Sequence, residues 1–477
     1  MRIAYFIIMS LIILVGTGLL LFFKLYKKYD YNNENFSKVI KILSIIFFVL
    51  TFLHLFLPDG FSIERSEEYL ASVNKVFENT IRWFNMSSVI IIILSIFCNN
   101  KYISKVAAYF CIPVTLMYIF SYDAIIASLT DPLGHGVNSI RFASEAFKAI
   151  MTNDIFRSII LIILNSLQIL ILLGLLFKNL SDLRFEKSEI LNFILVTLGI
   201  ICISLNSYTP QYYFGYTNLI FNRFSLSHLL VMLFMIAEII ALYFIFRNKS
   251  EETKHILLIA LSISLLFQFS QVYTGTNELK MQKLPLQLCN ISSYLMLYTL
   301  VKRNEKLFHF AIVVNVVGAL IAMIMLDVNK VGICSYWNIH YILEHTKVII
   351  IPILCLLLKE FKPLEFKDFK HFIIGFSAYY GFVLILGTIL NGIARKFDNS
   401  YFSVNFLFMF DQDVARGLLP FAGDLFDIKI KMGSFELYPV IQILIFIIFN
   451  VICFAVFFII LGCGKIKIKQ NKELVAQ

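Results

Sequence analysis

The chain has 477 residues, of which 59% are hydrophobic and only 15% are charged, and its mean hydropathy is +0.81. Ordinary soluble domains are about half apolar and about a quarter charged. The composition therefore excludes a soluble domain as the main body of the protein and indicates a polytopic membrane protein.

Apolar runs of roughly 18 residues or more, long enough to cross a bilayer, recur along nearly the whole chain. We predict an all-α transmembrane bundle of about thirteen spans. The predicted spans start near Ile3, Lys38, Ile81, Tyr102, Ile155, Ser188, Phe224, Lys254, Leu284, Leu307, His340, His371 and Leu437. The first span lacks a small-residue cleavage pattern, so we interpret it as a retained anchor rather than a signal peptide.

The net charge of +10 needs no nucleic-acid partner, because the position of the basic residues explains it. When loops are assigned alternately to the two sides of the membrane, the short loops on one side hold the majority of the 41 Lys and Arg residues. The positive-inside rule makes that side cytoplasmic. We therefore predict a cell-membrane protein with its N-terminus outside, its C-terminus cytoplasmic, and outward segments at 58–80, 127–154, 207–223 and 392–435.

The residue types that bind metals lack metal-site spacing. The eight cysteines form no CxxC pair, and most lie in predicted spans, where cysteine behaves as a small hydrophobe. The five aspartates of segment 392–435 have no calcium-loop spacing. We predict no metal and no cofactor, and we interpret segment 392–435, too long for a plain connection, as a lid or binding segment.

After the anchor, the chain is predicted to contain two copies of one unit of about six spans in the same orientation. Residues 85–88 (Asn-Met-Ser-Ser) align with 290–293 (Asn-Ile-Ser-Ser), and the register continues without a gap to Lys101 and Lys306. A second match joins 183–187 to 364–368. Chance similarity between leucine-rich helices is the alternative.

The duplication defines the predicted domains. They are an anchor at 1–30, a first unit at 31–250, a second unit at 251–465 and a basic cytoplasmic tail at 466–477. The first unit has a longer outward loop, in which we predict an interfacial helix at 140–151.

A polar stretch opens the predicted span that starts near Leu284. Polar side chains at membrane depth are functional candidates by default, and this stretch contains Cys289, Asn290, Ser292 and Ser293. Cys289 lies five residues after Leu284, and His345 lies five residues after His340. Both are therefore expected about 8 Å below the outer boundary of the membrane.

Cys289 and His345 have the chemistry of nucleophilic catalysis. An imidazole beside a thiol takes its proton and generates the thiolate that attacks an acyl carbonyl. The other candidates orient the imidazole or bind the oxyanion: Glu344, Asn290, His340, Gln287, Ser292 and Ser293. The first copy has Phe84 opposite Cys289, and Leu164 or Asn165 opposite His345, so we assign the site to the second copy.

Other interpretations of these residues stay open. Cys289 is also compatible with a core position, His345 with contact to headgroup water, and Glu344 with a surface pair to Lys347. A transporter is the alternative function, with Glu238, Asn315 or Glu344 contacting the solute between the two halves. A membrane scaffold without catalytic activity is the third.

Several motifs of the second half resemble the YwaF-like integral membrane proteins. They are Leu-Pro-Leu-Gln-Leu-Cys at 284–289, His345, Val-Asn-Phe-Leu-Phe at 404–408 and Leu-Tyr-Pro at 437–439, and the resemblance covers about residues 254–463. A eukaryotic relative is regarded as an acyltransferase for ether phospholipids that uses a cysteine acyl-enzyme. The resemblance implies Cys289 as nucleophile, His345 as base, Asn405 as a site residue, and membrane lipids as partners. Gln287 departs from the family pattern, which usually has histidine there.

Overall fold

A computed structural model describes residues 2–54, parts of 81–96, and residues 100–121, 154–179, 187–204, 219–274, 281–325, 332–412 and 423–475. The predicted all-α fold is confirmed. The interfacial helix predicted at 140–151 lies outside the described residues, as do most of the outward segments before residue 219.

Each helical run begins within four residues of a predicted start. The helices are α1 (Arg2–Leu25), α2 (Glu34–His54), α3 (Lys101–Val106), α4 (Ile112–Phe120), α5 (Asp154–Asn179), α6 (Lys187–Ser204), α7 (Leu226–Phe246), α8 (Glu251–Thr274), α9 (Leu288–Lys302), α10 (Glu305–Met325), α11 (Tyr336–Leu357), α12 (Phe369–Lys396) and α13 (Pro439–Val475). A π-helical turn, Ala107–Cys111, joins α3 to α4. The strands β1 (Ile430–Met432) and β2 (Phe435–Leu437) form an antiparallel hairpin before α13.

Within the described residues, eight helices are long and apolar enough to cross a membrane. A backbone in lipid must satisfy its own hydrogen bonds, and a helix does so within one segment. The protein is therefore a multi-pass membrane protein, while the number of about thirteen spans stays a prediction.

The chain divides into two compact units. The first comprises Met1–Tyr216, Ser270–Glu278 and Cys334–Tyr336, and the second comprises Thr217–Phe269, Leu279–Ile333 and Trp337–Gln477. The predicted duplication and its domain boundaries stay predictions.

The first unit is built around α5, which packs against α1, α2 and the α3–α4 run. Polar side chains inside it are paired with one another. Gln168 donates to Asn85 Oδ1 (2.8 Å) and Thr115 Oγ1 (2.9 Å), and Asn165 donates to Tyr5 Oη (3.0 Å). These bonds join helices, which is the usual role of polar residues within a bundle.

The second unit is built around α10, which packs against α9, α12 and α13. Its residues from Ala311 to Ala319 are almost all buried, as expected for a helix that is apolar on every side. Gly318 interrupts this apolar surface where α9 approaches. A Cβ atom at this position would lie 2.8 Å from Leu288 Cβ, so the contact depends on the absence of a side chain.

Candidate functional site

The helix that carries Cys289 starts later than predicted, at Leu288 rather than near Leu284. The physical reason is Pro285, because the residue before a proline is disfavoured in the α conformation. Residues 284–287 are therefore non-helical, and Gln287 has extended backbone angles (φ −79°, ψ 153°). Cys289 becomes the second residue of α9.

The non-helical segment 284–287 is bonded to the central part of a helix that is long enough to cross a bilayer. The Tyr379 hydroxyl donates a hydrogen bond to Leu286 O (2.6 Å), and Tyr379 lies near the middle of α12, a 28-residue helix able to cross the bilayer. In addition, α9 has only 15 residues, about 22 Å in length, against a hydrocarbon core of about 30 Å. Helix α9 is therefore shorter than a bilayer-spanning helix, and irregular backbone before it is tolerated at membrane depth only where protein surrounds it.

Gln287 joins this segment to a second irregular one. Its amide nitrogen donates to Asn405 O (3.1 Å), and its amide oxygen accepts from Leu407 N (3.1 Å). A side-chain amide has the same donor and acceptor as a peptide group, so it pairs with the backbone in both directions. We call residues 404–410 the inner loop.

The inner loop descends beside α12. Asn391 of α12 pairs with both backbone atoms of Val404 (2.9 and 3.0 Å). Further along, the Phe410 ring occupies the space where Gly387 would carry a Cβ atom. Gly387 lies nine residues before the end of α12, about 13 Å below it. Segment 392–435 was predicted as an ordered lid; within it, the inner loop is buried and lies against α12.

Two residues of the inner loop have left-handed backbone angles without being glycine. They are Leu407 (φ 53°) and Phe408 (φ 61°), and Leu407 is fully buried. Such conformations cost about 1–3 kcal/mol each and persist only where neighbouring contacts impose them. The bonds from Gln287 and Asn391 supply those contacts.

Cys289 is partly accessible and lies against α10. Its Sγ is 3.5 Å from the position that a Gly318 Cβ atom would take. The thiol is within electrostatic range of Glu344 on α11 and of Tyr379 on α12. The first turn of α9 therefore packs on α10 and lies within electrostatic range of residues on α11 and α12.

Glu344 has a buried carboxyl group, and one of its two oxygens is paired with a histidine. Its Oε2 lies 3.2 Å from His340 Nε2, one turn earlier on α11. Its Oε1 has no hydrogen-bond partner among the described residues, and only 5% of the residue is exposed. A buried charge of this kind is expensive unless it is paired or serves a function. Lys347, the alternative partner of Glu344, donates to Ser264.

His345 is held in one orientation. Its Nδ1 lies 2.8 Å from Tyr341 O, and its ring packs on the Tyr341 ring with centroids 4.1 Å apart. Because a carbonyl oxygen only accepts, Nδ1 carries the hydrogen, and Nε2 is the basic nitrogen of the neutral ring. Tyr341 is fixed in turn by a short hydrogen bond from its hydroxyl to Ala322 O on α10.

The remaining candidates of α9 lie around its first turn. Ser292 is buried between Leu288 O (2.7 Å) and Asn315 Oδ1 (2.6 Å). The Asn315 amide nitrogen has no partner in the described part of the chain. Ser293 donates to Asn290 O (2.7 Å) on its own helix. Within the described residues no cluster of three His, Cys, Asp or Glu side chains could hold a metal ion.

The comparison with protein families gives one match, to the TMEM164 family over residues 223–461, which is half of the chain. The chain belongs to the TMEM164 family. The matched region contains all the candidate residues, from Gln287 on α9 to Asn405 in the inner loop. Searches of curated proteins and of solved structures found no significant match.

Within this TMEM164 region Cys289 lies within electrostatic range of Glu344, whereas the predicted partner was His345. Cys289 is the second residue of α9, whereas His345 is the tenth of α11, so the two residues do not lie at equal distances from their helix starts, and their equal depth in the membrane stays a prediction. Among the described residues, His345 contacts Tyr341 and interacts electrostatically with Glu344 and His340.

Sequence reasoning missed three residues that shape the TMEM164 site. Gly318 leaves room for the close approach of α9. Tyr379 donates a hydrogen bond to Leu286 O, and Asn391 donates one to the backbone of the inner loop. Gly318 alone had a usable signal, as a small residue within a run of large apolar ones. The other two act on backbone atoms far along the chain, which no local pattern reveals.

Proposed function

We propose that this protein transfers acyl chains between phospholipids inside the membrane, with Cys289 as the nucleophile. The observation that carries the proposal is the position of Cys289, a partly buried residue in the first turn of α9, whose thiol interacts electrostatically with the buried Glu344, itself paired with His340. We place the start of α9 within the bilayer, where irregular backbone is tolerated only if protein buries it or it lines a cavity. The resemblance to YwaF-like proteins and to an ether-phospholipid acyltransferase also supports it.

In the first half-reaction, Cys289 Sγ attacks the ester carbonyl of a phospholipid, and its proton passes to His345 Nε2. The tetrahedral intermediate then breaks its bond to the glycerol oxygen. That oxygen takes the proton from His345 and leaves as lysophospholipid, while the acyl chain stays on sulfur as a thioester.

In the second half-reaction, the hydroxyl group of a different lysophospholipid attacks the thioester and gives its proton to His345 Nε2. The carbon–sulfur bond breaks, and sulfur recovers a proton from the imidazole. No cofactor enters the balance, because one ester bond is exchanged for another.

The surrounding groups have separate roles in this scheme. Glu344 stabilises the imidazolium that forms on His345, with which it interacts electrostatically, and His340 holds Glu344 in place. The Asn290 and Ile291 N–H groups donate to Gln287 O, so we assign the oxyanion to the N–H groups of Leu288 and Cys289 that precede them in α9. Both polar atoms of Gln287 are used by the inner loop, so we assign Gln287 and Asn405 to positioning rather than proton transfer.

We also propose that the site opens to the outer leaflet of the cell membrane. The basic short loops support a cytoplasmic C-terminus, and the inner loop enters from the opposite end, where α12 ends. Labelling of a cysteine introduced at Gly433 by an impermeant maleimide on intact cells is expected. Labelling only after permeabilisation contradicts this orientation.

The test of the acyl-transfer proposal uses purified full-length protein in lipid nanodiscs. A phospholipid with a labelled acyl chain is the donor, and an ether-linked lysophospholipid is the acceptor. We expect transfer by the wild type and by Cys355→Ser, whose cysteine is buried in α11, and loss of transfer in Cys289→Ser. Equal transfer by Cys289→Ser refutes the assignment of the nucleophile.

A second set of variants separates the roles of the α11 residues. His345→Gln is expected to abolish transfer, because no base remains. Glu344→Gln is expected to reduce the turnover rate while leaving donor binding unchanged. Activity of His345→Gln near the wild-type level assigns the base elsewhere.

One contact favours a transporter as the second candidate function. Lys347 of α11 donates to Ser264 of α8 and interacts electrostatically with Glu238 of α7, so a titratable pair lies within the helices. Proton-coupled transporters use such pairs. Loss of solute uptake in Glu238→Gln, together with normal uptake in Cys289→Ser, favours this function.

A further inference from the structure

The hairpin β1–β2 lies where two membrane-crossing helices emerge from the bilayer. Arg395 and Lys396 end α12, and Pro439 begins α13 two residues after β2. Both helices are apolar and long enough to cross the membrane. The hairpin is therefore tethered by α13 to the boundary between lipid and water.

The two faces of the hairpin differ in polarity. The pairs Ile430 with Leu437 and Met432 with Phe435 share one face, because directly opposite residues of an antiparallel pair point the same way. Phe435 covers Gly392 of α12, whereas Ile430 and Met432 stay more than half exposed. The apolar face of the hairpin thus extends beyond the part that packs against α12.

The opposite face has an excess of positive charge. Lys429 and Lys431 lie 3.7 and 3.5 Å from Glu436 Oε1, and Arg395 lies 3.7 Å from its Oε2. Three cations therefore share one carboxylate. Glu436 also accepts from the Tyr438 hydroxyl (2.7 Å), so it cannot satisfy all the donors of the two lysines.

We propose that this hairpin binds phospholipid at the membrane surface. Its apolar face lies at the boundary of headgroups and acyl chains, and its two lysines contact lipid phosphates. This is the arrangement of an interfacial amphipathic helix, built here from two strands. Asp424 and Asp427 are exposed just before the hairpin and reduce the local positive charge, so binding needs the apolar face as well.

The test measures contact with lipid at adjacent residues of one strand. Met432→Trp and Ile430→Trp place an indole on the apolar face, and Lys431→Trp places it on the opposite face. Each full-length variant is reconstituted in nanodiscs with lipids brominated near the headgroup end of the chain. Quenching by wild-type protein is subtracted, because the chain has two native tryptophans.

We expect strong quenching at positions 430 and 432, and at least twofold weaker quenching at 431. Equal quenching at the three positions overturns the proposal, as does an absence of quenching. A blue-shifted emission at 430 and 432 without quenching also overturns it, and indicates that protein covers the face.

The contribution of the lysines is tested in the Met432→Trp background. Replacing both Lys429 and Lys431 by Gln is expected to reduce the quenching, while replacing the exposed Lys302 and Lys306 by Gln is expected to leave it unchanged. A reduction of the same size in both pairs contradicts a specific phosphate contact.

Discussion

Gly318 is the position at which one added methyl group tests the architecture of the site most sharply. A Cβ atom there would lie 2.8 Å from Leu288 Cβ and 3.5 Å from Cys289 Sγ. Because Leu288 Cβ is fixed by its backbone, relief requires a shift of the first turn of α9. Overpacking of this kind costs about 1–3 kcal/mol. Alanine is a better helix former than glycine by about 1 kcal/mol, so the net loss for Gly318→Ala is about 0–2 kcal/mol.

Gly381→Ala is the matched control, because no atom lies within 4 Å of its added Cβ. It is expected to leave the free energy of unfolding unchanged or to raise it by up to about 1 kcal/mol. The difference between the two variants therefore isolates the overlap, about 1–3 kcal/mol. The assay is reversible unfolding by detergent titration, combined with the rate of Cys289 alkylation. Equal stability and equal alkylation in the two variants refute the close approach of α9 to α10.

Three further predictions concern the groups that hold the irregular segments. Gln287→Ala leaves two backbone groups of the inner loop without partners and is expected to lower the free energy of unfolding by about 2–4 kcal/mol. A loss below about 0.5 kcal/mol in the same titration argues against a stabilising role for the two hydrogen bonds of Gln287. Asn391→Ala acts on the same loop, so the double variant is expected to lose less than the sum of the two single losses, and strict additivity contradicts a shared role. The hydrogen bond from the Tyr438 hydroxyl lowers the pKa of the Glu436 carboxyl below its usual 4.5, and the nearby Arg395 and lysines lower it further. The ionised Glu436 carboxylate therefore contributes its full stabilisation above pH 4.5, and this contribution is lost as the pH falls through the pKa of Glu436 in the folded protein. The stability gap between wild type and Glu436→Gln is expected to close in acid, and a gap that widens there is the contrary result.

The positions of the helices could be predicted from the sequence because the thickness of the bilayer fixes the length of an apolar run. The starts of α1, α3 and α5 were predicted to within one residue. Helix α9 was placed correctly as an element, but its start was four residues too early. Pro285 was the available signal for the later start.

The geometry of the site could be predicted only in part. Cys289 and His345 were proposed as neighbours from their place at the start of two spans. The structure brings Cys289 within electrostatic range of Glu344, the residue before His345, and the pairing of Cys289 with His345 stays a prediction. The inner loop could not be predicted, because Gln287 reaches backbone atoms 118 and 120 residues away. Such side-chain to backbone bonds leave no periodic signal in the sequence.

The most direct measurement is the detection of an acyl-enzyme on Cys289. Purified wild-type protein and Cys289→Ser are incubated with phospholipid carrying a labelled acyl chain, and the protein is analysed for label before and after hydroxylamine. A thioester is cleaved by hydroxylamine, so we predict a hydroxylamine-sensitive adduct on the wild type and none on the variant. An equal adduct on both proteins, or none on the wild type with any phospholipid class, contradicts Cys289 as an acyl-carrying nucleophile.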